Sequence, residues 1–234
     1  MKTTLPIQIK VMATVACAIL GATAGLEAQT VTFSAATLTD GYMSWSPTAY
    51  TLANFPEDGG SSASSWGLSD LPAVFSGNTL TLSPNVNTYN PSSTYWVNPD
   101  GTGANQMDGA IYNETTGVYV GASVTFTFDV LANTLASGYS ADAFIKDFGP
   151  GYAYNGEQTV NLTPGIDSVT YALTGNNPGE IVQFGFELLG PDANPATVAS
   201  LGSVEIAPTP EPTTLSLAGL GLLGLLGIRS RRPI

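Results

Sequence analysis

The chemistry open to this sequence is carried by carboxylates, amides and aromatic rings. There is no histidine. That removes Ser–His–Asp and Cys–His nucleophile systems, imidazole acid–base catalysis and the usual zinc sites. No glycine-rich phosphate loop is present, and Lys146 is the single basic residue between positions 29 and 207, so phosphoryl transfer is implausible. What remains is glycoside cleavage by two carboxylates, ~5–5.5 Å apart for retention or ~6.5–9.5 Å for inversion. Glu187 and Asp129 are the pair to test. Each occupies an outward position in a strongly alternating segment, and the two would meet if those segments were neighbouring strands. As ordinary solvated carboxylates they would do no chemistry.

Two further sets of residues carry binding chemistry. Asn98, Asp100, Asn105 and Asp108 crowd oxygen donors into one glycine-containing stretch, a hard-donor set that suits calcium. Their spacing is not that of an EF-hand, and the same residue types build turns. No cofactor is required, and structural calcium is the one ion this composition suggests. The second set is aromatic: Tyr42, Trp45, Trp66, Tyr95 and Trp96 fall in polar, turn-rich sequence. A ring on a loop presents a flat apolar face with a polar border, which stacks on sugar rings. The alternative is that these rings pack down and cap the core.

The elements that position these residues read as β throughout. Val124, Phe126, Phe128 and Val130 alternate with Ser123, Thr125, Thr127 and Asp129, the pattern of a half-buried strand. Val182, Phe184, Phe186 and Leu188 alternate with polar or small residues in the same way. Shorter strands are predicted at Val31–Ala35, Thr79–Leu82, Gly117–Val120, Ala143–Phe148, Gln158–Leu162, Ser168–Leu173 and Gly202–Ile206. Clusters of Asn, Asp, Gly and Pro separate them, as at 99–101, 176–179 and 192–195. No internal repeat is evident. The expectation is an all-β domain, an antiparallel β-sandwich of jelly-roll type, with an all-β barrel as the other solution.

The ends differ in character. Lys2 and Lys10 precede an apolar stretch, Val11–Gly25, of signal-peptide length, with small-residue cleavage positions at Ala24 or Ala28. Cys17, the one cysteine, lies inside it, so residues 29–207 carry no thiol; a lipidated Cys17 is the alternative. Sixteen acidic residues face one lysine in residues 29–207, a net charge of −15 within a chain whose total is −12. Such a surface repels phosphate backbones and excludes nucleic acid as a partner. It also keeps an exported protein soluble.

After residue 207 come a Pro-rich segment at 208–212 with Pro210, Glu211 and Pro212, an apolar run at 213–228 and a basic tail at 229–234 with Arg229, Arg231 and Arg232. As a helix the run spans ~24 Å, short of the ~30 Å hydrocarbon core. With snorkelling arginines it forms a short, temporary transmembrane anchor, the arginines cytoplasmic and the rest of the chain outside. This order of parts resembles the PEP-CTERM sorting signal of bacteria that make exopolysaccharide. The resemblance implies an exosortase-type processing enzyme that cuts near Pro-Glu-Pro and passes the protein to the surface or matrix.

Residues 124–206 resemble the galactose-binding-like, carbohydrate-binding jelly-roll modules of exported proteins, through Val182–Glu187, Asn194-Pro195 and Leu201–Ile206. That likeness implies a fold more than a function. Three functions follow as expectations. The first is a non-catalytic surface or matrix protein that binds exopolysaccharide. The others are a purely structural matrix component and a small glycan-active enzyme.

Overall fold

In the computed structural model, residues 28–46, 67–175 and 177–209 are described. The alternation at 123–130 does what its chemistry dictates: Val124, Phe126, Phe128 and Val130 are buried while Ser123, Thr125, Thr127 and Asp129 remain half-exposed. Eleven strands are formed: β1 (Gln29–Val31), β2 (Asp40–Ser46), β3 (Ala73–Ser76), β4 (Thr79–Leu82), β5 (Gln106–Thr116), β6 (Ser123–Asn133), β7 (Ser140–Gly149), β8 (Ala153–Asn161), β9 (Gly165–Ala172), β10 (Ile181–Pro191) and β11 (Val204–Pro208). The described helical structure is two single 3-10 turns, Leu68–Asp70 and Val198–Leu201.

The strands make two sheets. One runs β2-β5-β10-β7-β8. In the other, β6 pairs with β9 along one edge, and with β1 and β11 on different segments; β11 then leads to β4 and β3. All pairings are antiparallel except β1 with β6. The sheets are separate layers rather than one closed barrel. Phe126 and Phe128 from the six-stranded sheet meet Phe184 and Phe186 from the five-stranded one at ring-centroid distances of 5.1–5.4 Å. Aromatic contacts of this kind add to the area term that drives sheet-on-sheet packing.

Several sequence expectations are corrected. Gly117–Val120 is not a strand: β5 ends at Thr116 and Gly117 turns the chain at φ +69. Strands β2, β3 and β5 appear where turn-forming residues obscured the period; the β3–β4 hairpin closes on Gly77–Asn78, with Gly77 at φ +61 in the glycine-first turn that hairpins favour. β11 extends through Pro208, which pairs with Phe128, so the 208–212 segment begins inside the sheet. The predicted signal segment at 1–28, apart from Ala28, lies outside the described residues, as do the apolar run at 213–228 and the basic tail. Among the described residues no helix is long and apolar enough to cross a membrane.

Candidate functional site

The outward side of the five-stranded sheet holds an unusual set of side chains. Strand register places Tyr42, Ala110, Glu187, Asp142 and Asn161 in one row across β2, β5, β10, β7 and β8. The neighbouring rows bring Tyr112, Gly185 and Phe144 together, and Glu114, Gln183 and Lys146. Lys146, Glu187, Asp108 and Phe144 are at most 1% exposed. Lys146 Nζ donates to Glu187 Oε2 at 3.1 Å and to the Tyr42 hydroxyl at 3.0 Å. It also lies 4.4 Å from the Phe144 ring centroid. An ammonium drawn out of water needs this much compensation.

Gly185 explains how the rows close up. A Cβ there would run into Ile111 and Tyr112, and without one Tyr112 and Phe144 approach from either side to a centroid distance of 6.3 Å. Tyr112 also packs edge-on to Tyr42. Burial, then the charges of Glu114 and Asp40, push the Tyr112 phenol up to about 12. Asp142 accepts from Asn161 at 3.0 Å, yet its burial holds the carboxyl above the ordinary range.

At the β7–β8 hairpin this face opens to solvent. Tyr152 and Tyr154 are 57% and 55% exposed, and both rest edge-on against Phe148 at 6.0 and 5.8 Å. Tyr152 is the one described non-glycine residue with a positive φ, +62, a conformation that costs a bulky residue energy. What the turn gains is a hydrogen bond from the Tyr152 hydroxyl to Glu114 Oε1 at 2.8 Å. Glu114 Oε2 in turn accepts from Gln183 at 2.8 Å. Exposed rings thus stand beside a fixed carboxylate and amide.

The residues singled out in the sequence disperse over the molecule. Tyr42 belongs to the buried part of this face. Trp45, Tyr95 and Trp96 come together in a separate edge-to-face cluster, with centroids 4.8–5.6 Å apart. Trp45 and Trp96 pack against the core, and Tyr95 is half-exposed. Trp66 lies outside the described residues.

Three of the four oxygen donors have local tasks. Asn98 donates to Thr102 and Gly103, Asp100 accepts from the Thr102 amide and hydroxyl, and buried Asn105 donates to the Tyr95 carbonyl. Asp108 lies on the outer face of β5. No group of three or more acidic or thiol side chains able to hold a metal occurs among the described residues.

The Asp129–Glu187 pair is overturned. Asp129 is on β6 and Glu187 on β10, in different sheets and on opposite outer faces of the sandwich. Two packed sheets lie ~10 Å apart, so the carboxylates cannot flank one bond. A cleft between the sheets, lined by Leu71, Pro72, Leu82, Asn85, Ile111 and Leu188, holds no ionisable side chain.

Tyr152 and Tyr154 are not among the sequence candidates, and Lys146 figures there only as the lone base, without a place in a site. The signals available were a lone lysine among apolar residues and two tyrosines beside Gly149-Pro150-Gly151.

Comparison with known proteins places the chain by its tail. Residues 208–232 match the PEP-CTERM protein-sorting motif, which supports export and exosortase sorting of a surface protein built on a β-sandwich. Pro210, Glu211, Pro212, Arg229, Arg231 and Arg232 fall within that match and outside the described residues. No curated protein matches the chain, and no solved structure does.

Proposed function

We propose that this is a non-catalytic surface or matrix protein that binds exopolysaccharide through the tyrosine-rich end of its five-stranded sheet. An exosortase cuts near Pro210–Pro212 after the apolar run has anchored the chain transiently in the membrane. The observation that carries the binding reading is the pair Tyr152 and Tyr154, more than half exposed and propped on Phe148, beside the Glu114–Gln183 hydrogen bond. Rings of this kind stack on sugar faces while a carboxylate such as that of Glu114, held in place by buried Gln183, takes a hydroxyl. By contrast, the rings of Trp45, Tyr95 and Trp96 are occupied largely by one another and by the core.

Strand order supports a jelly-roll reading of the fold. From β4 onward, β4-β11-β6-β9 form one layer and β5-β10-β7-β8 the other, an eight-strand arrangement of the jelly-roll type.

The test is affinity electrophoresis of the full-length chain, in mild detergent, through gels containing exopolysaccharide from the source organism. Tyr152→Asn keeps a residue that tolerates the left-handed backbone, and Tyr154→Ser removes the second ring. Retardation lost in both variants and kept in Trp96→Ala supports the site. No retardation of the unmodified chain favours a purely structural role.

A further inference from the structure

The two ends of the sandwich domain meet on one strand. β9 pairs with β6 along residues 123–130. β1 pairs with 124–126 and β11 with 128–133, so both must lie on the other side of β6. They run end to end there, and Thr127 is the joint between them. Its hydroxyl donates to the Val31 carbonyl at 3.2 Å and lies 3.0 Å from the Thr209 hydroxyl. Its carbonyl accepts from the Thr32 hydroxyl at 3.2 Å.

β11 reaches this joint in a fixed register: Ile206, Ala207 and Pro208 face Val130, Asp129 and Phe128. The contact of Thr209 with Thr127 continues it by one residue. The next three positions of that register face Phe126, Thr125 and Val124, and they belong to Pro210, Glu211 and Pro212. β1 already fills them, with Val31, Thr30 and Gln29 facing the same three residues. Phe126 and Val124 are buried and Thr125 points outward, so the slot suits an apolar residue, a polar one and an apolar one. Pro-Glu-Pro has that alternation. Its prolines bring no N–H to a ladder, but both share the parity of Pro208, which the sheet accepts just past the β4 pairing at Val204–Ile206.

We propose that the 124–126 edge of β6 is a strand-accepting site for the chain's own Pro-Glu-Pro motif, and that β1, by filling it, keeps the motif off the sheet and open to the processing enzyme. The inference rests on the exosortase reading above. β1 is a light plug: it has three residues, it is parallel to β6, and Gln29 and Thr30 are exposed. Parallel pairing is slightly the weaker kind. Its hold on the core is Val31, which packs against the buried cluster. A segment paired in a sheet is closed to an enzyme that must take it as a free peptide. Only a chain whose N-terminal strand has docked therefore offers the motif, and a chain with β1 displaced conceals it.

Glu211 is the one residue of the motif with a backbone N–H. Its amide exchange, followed by NMR in the full-length chain in mild detergent, reports whether the motif has entered the sheet. In the unmodified chain that amide should exchange within about threefold of the free-peptide rate. Val31→Asp sets a charge against the core and undocks β1, and Glu211 should then exchange about tenfold more slowly. Unfolding would speed exchange throughout, so it cannot imitate this result. Thr30→Gly with Val31→Gly weakens the strand without a buried charge and should act in the same direction. Protection of Glu211 in the unmodified chain, or in neither variant, overturns the proposal. Protection that grows with protein concentration overturns it too, because a second copy then fills the slot. In the source organism the processed fraction should fall about fivefold in Val31→Asp, since only chains with a free motif are substrates. A variant processed as fully as the unmodified chain refutes the gating. An unmodified chain that is never processed refutes the exosortase reading instead, and the exchange result then decides the slot alone.

Discussion

The sandwich has two outer faces, built from the same alternating backbone, and they end in opposite states. On the six-stranded sheet the outward residues are Thr125, Thr127, Asp129, Ser168 and Thr170, half-exposed or exposed, with Ile166, Val74 and Leu131 left in water as well. On the five-stranded sheet the outward residues include Lys146, Glu187, Asp108 and Asp142, all buried. The chain spends its only described base, and several of its acids, where water is scarce. Each charge there depends on a particular partner, whereas a hydroxyl on the other face can turn to solvent. Constraint of that kind marks the five-stranded face as the one whose chemistry is specified.

The largest effect should come from removing one member of the buried pair. Lys146→Met leaves Glu187 without its ammonium, and loss of one partner of a buried pair costs about 3–5 kcal/mol. Tm should fall by about 10 °C. Asp129→Ala, at an outward position of the opposite sheet, should change stability by no more than about 0.5 kcal/mol. Urea unfolding of both variants measures the contrast directly. Comparable losses would show that the two faces do not differ energetically. The double change Lys146→Met with Glu187→Leu should recover part of the loss, because Glu187 then strands no charge, although Glu157 still faces position 146 from β8.

Acidification gives the next largest effect. Burial pushes the Asp192 carboxyl, at the far end of β10, up to about 6, against the lowering effect of Thr88 and the Ala193 amide. The Asp142 carboxyl on the outer face is raised as well. A carboxyl whose folded pKa is raised binds its proton more tightly when folded. Its stabilising contribution is therefore complete below the unfolded pKa, near 4, and lost as pH rises to about 6. For Asp192 the gap is worth roughly 2 kcal/mol once solvent screening is allowed for. Asp192→Asn should remove that slope and leave the chain more stable than the unmodified protein at pH 7. A slope unchanged in the variant would show that Asp192 is not its source.

The two faces also differ in how far they could be read from residues alone. In β6 one side is dry and the other wet, so the hydrophobic period and the burial pattern coincide. In β10 the period is just as clear, but Ile181 to Gly190 are all buried. The sequence reading therefore took Glu187 for a solvated carboxylate and paired it with Asp129. Period two says which residues share a side, and it does not say whether that side meets water. Strand β5 was missed for a related reason: Asp108, Gly109 and Asn113 look like turn residues until both neighbouring strands are present. The aromatic cluster of Trp45, Tyr95 and Trp96 was legible as residues but not as a contact, since it joins β2 to a loop about fifty positions away. Tyr152 carries no local signal for its positive φ.

The smallest predicted effect tests the solvated face on its own terms. Thr125 and Thr170 are cross-strand partners on β6 and β9, with hydroxyls 2.9 Å apart. Thr125→Val removes one hydroxyl, but Thr170 can bond water instead, so no buried polar group is orphaned. Valine also suits a strand at least as well as threonine does. Each single variant should therefore lie within about 0.5 kcal/mol of the unmodified chain. The coupling from a double-mutant cycle should amount to a few tenths of a kcal/mol, the low end for cross-strand pairs. The same cycle on Lys146 and Glu187 should give several kcal/mol. A Thr125–Thr170 coupling above about 1 kcal/mol would mean that this face, too, is shielded from water, and its hydroxyls would then count as specified contacts rather than a replaceable surface.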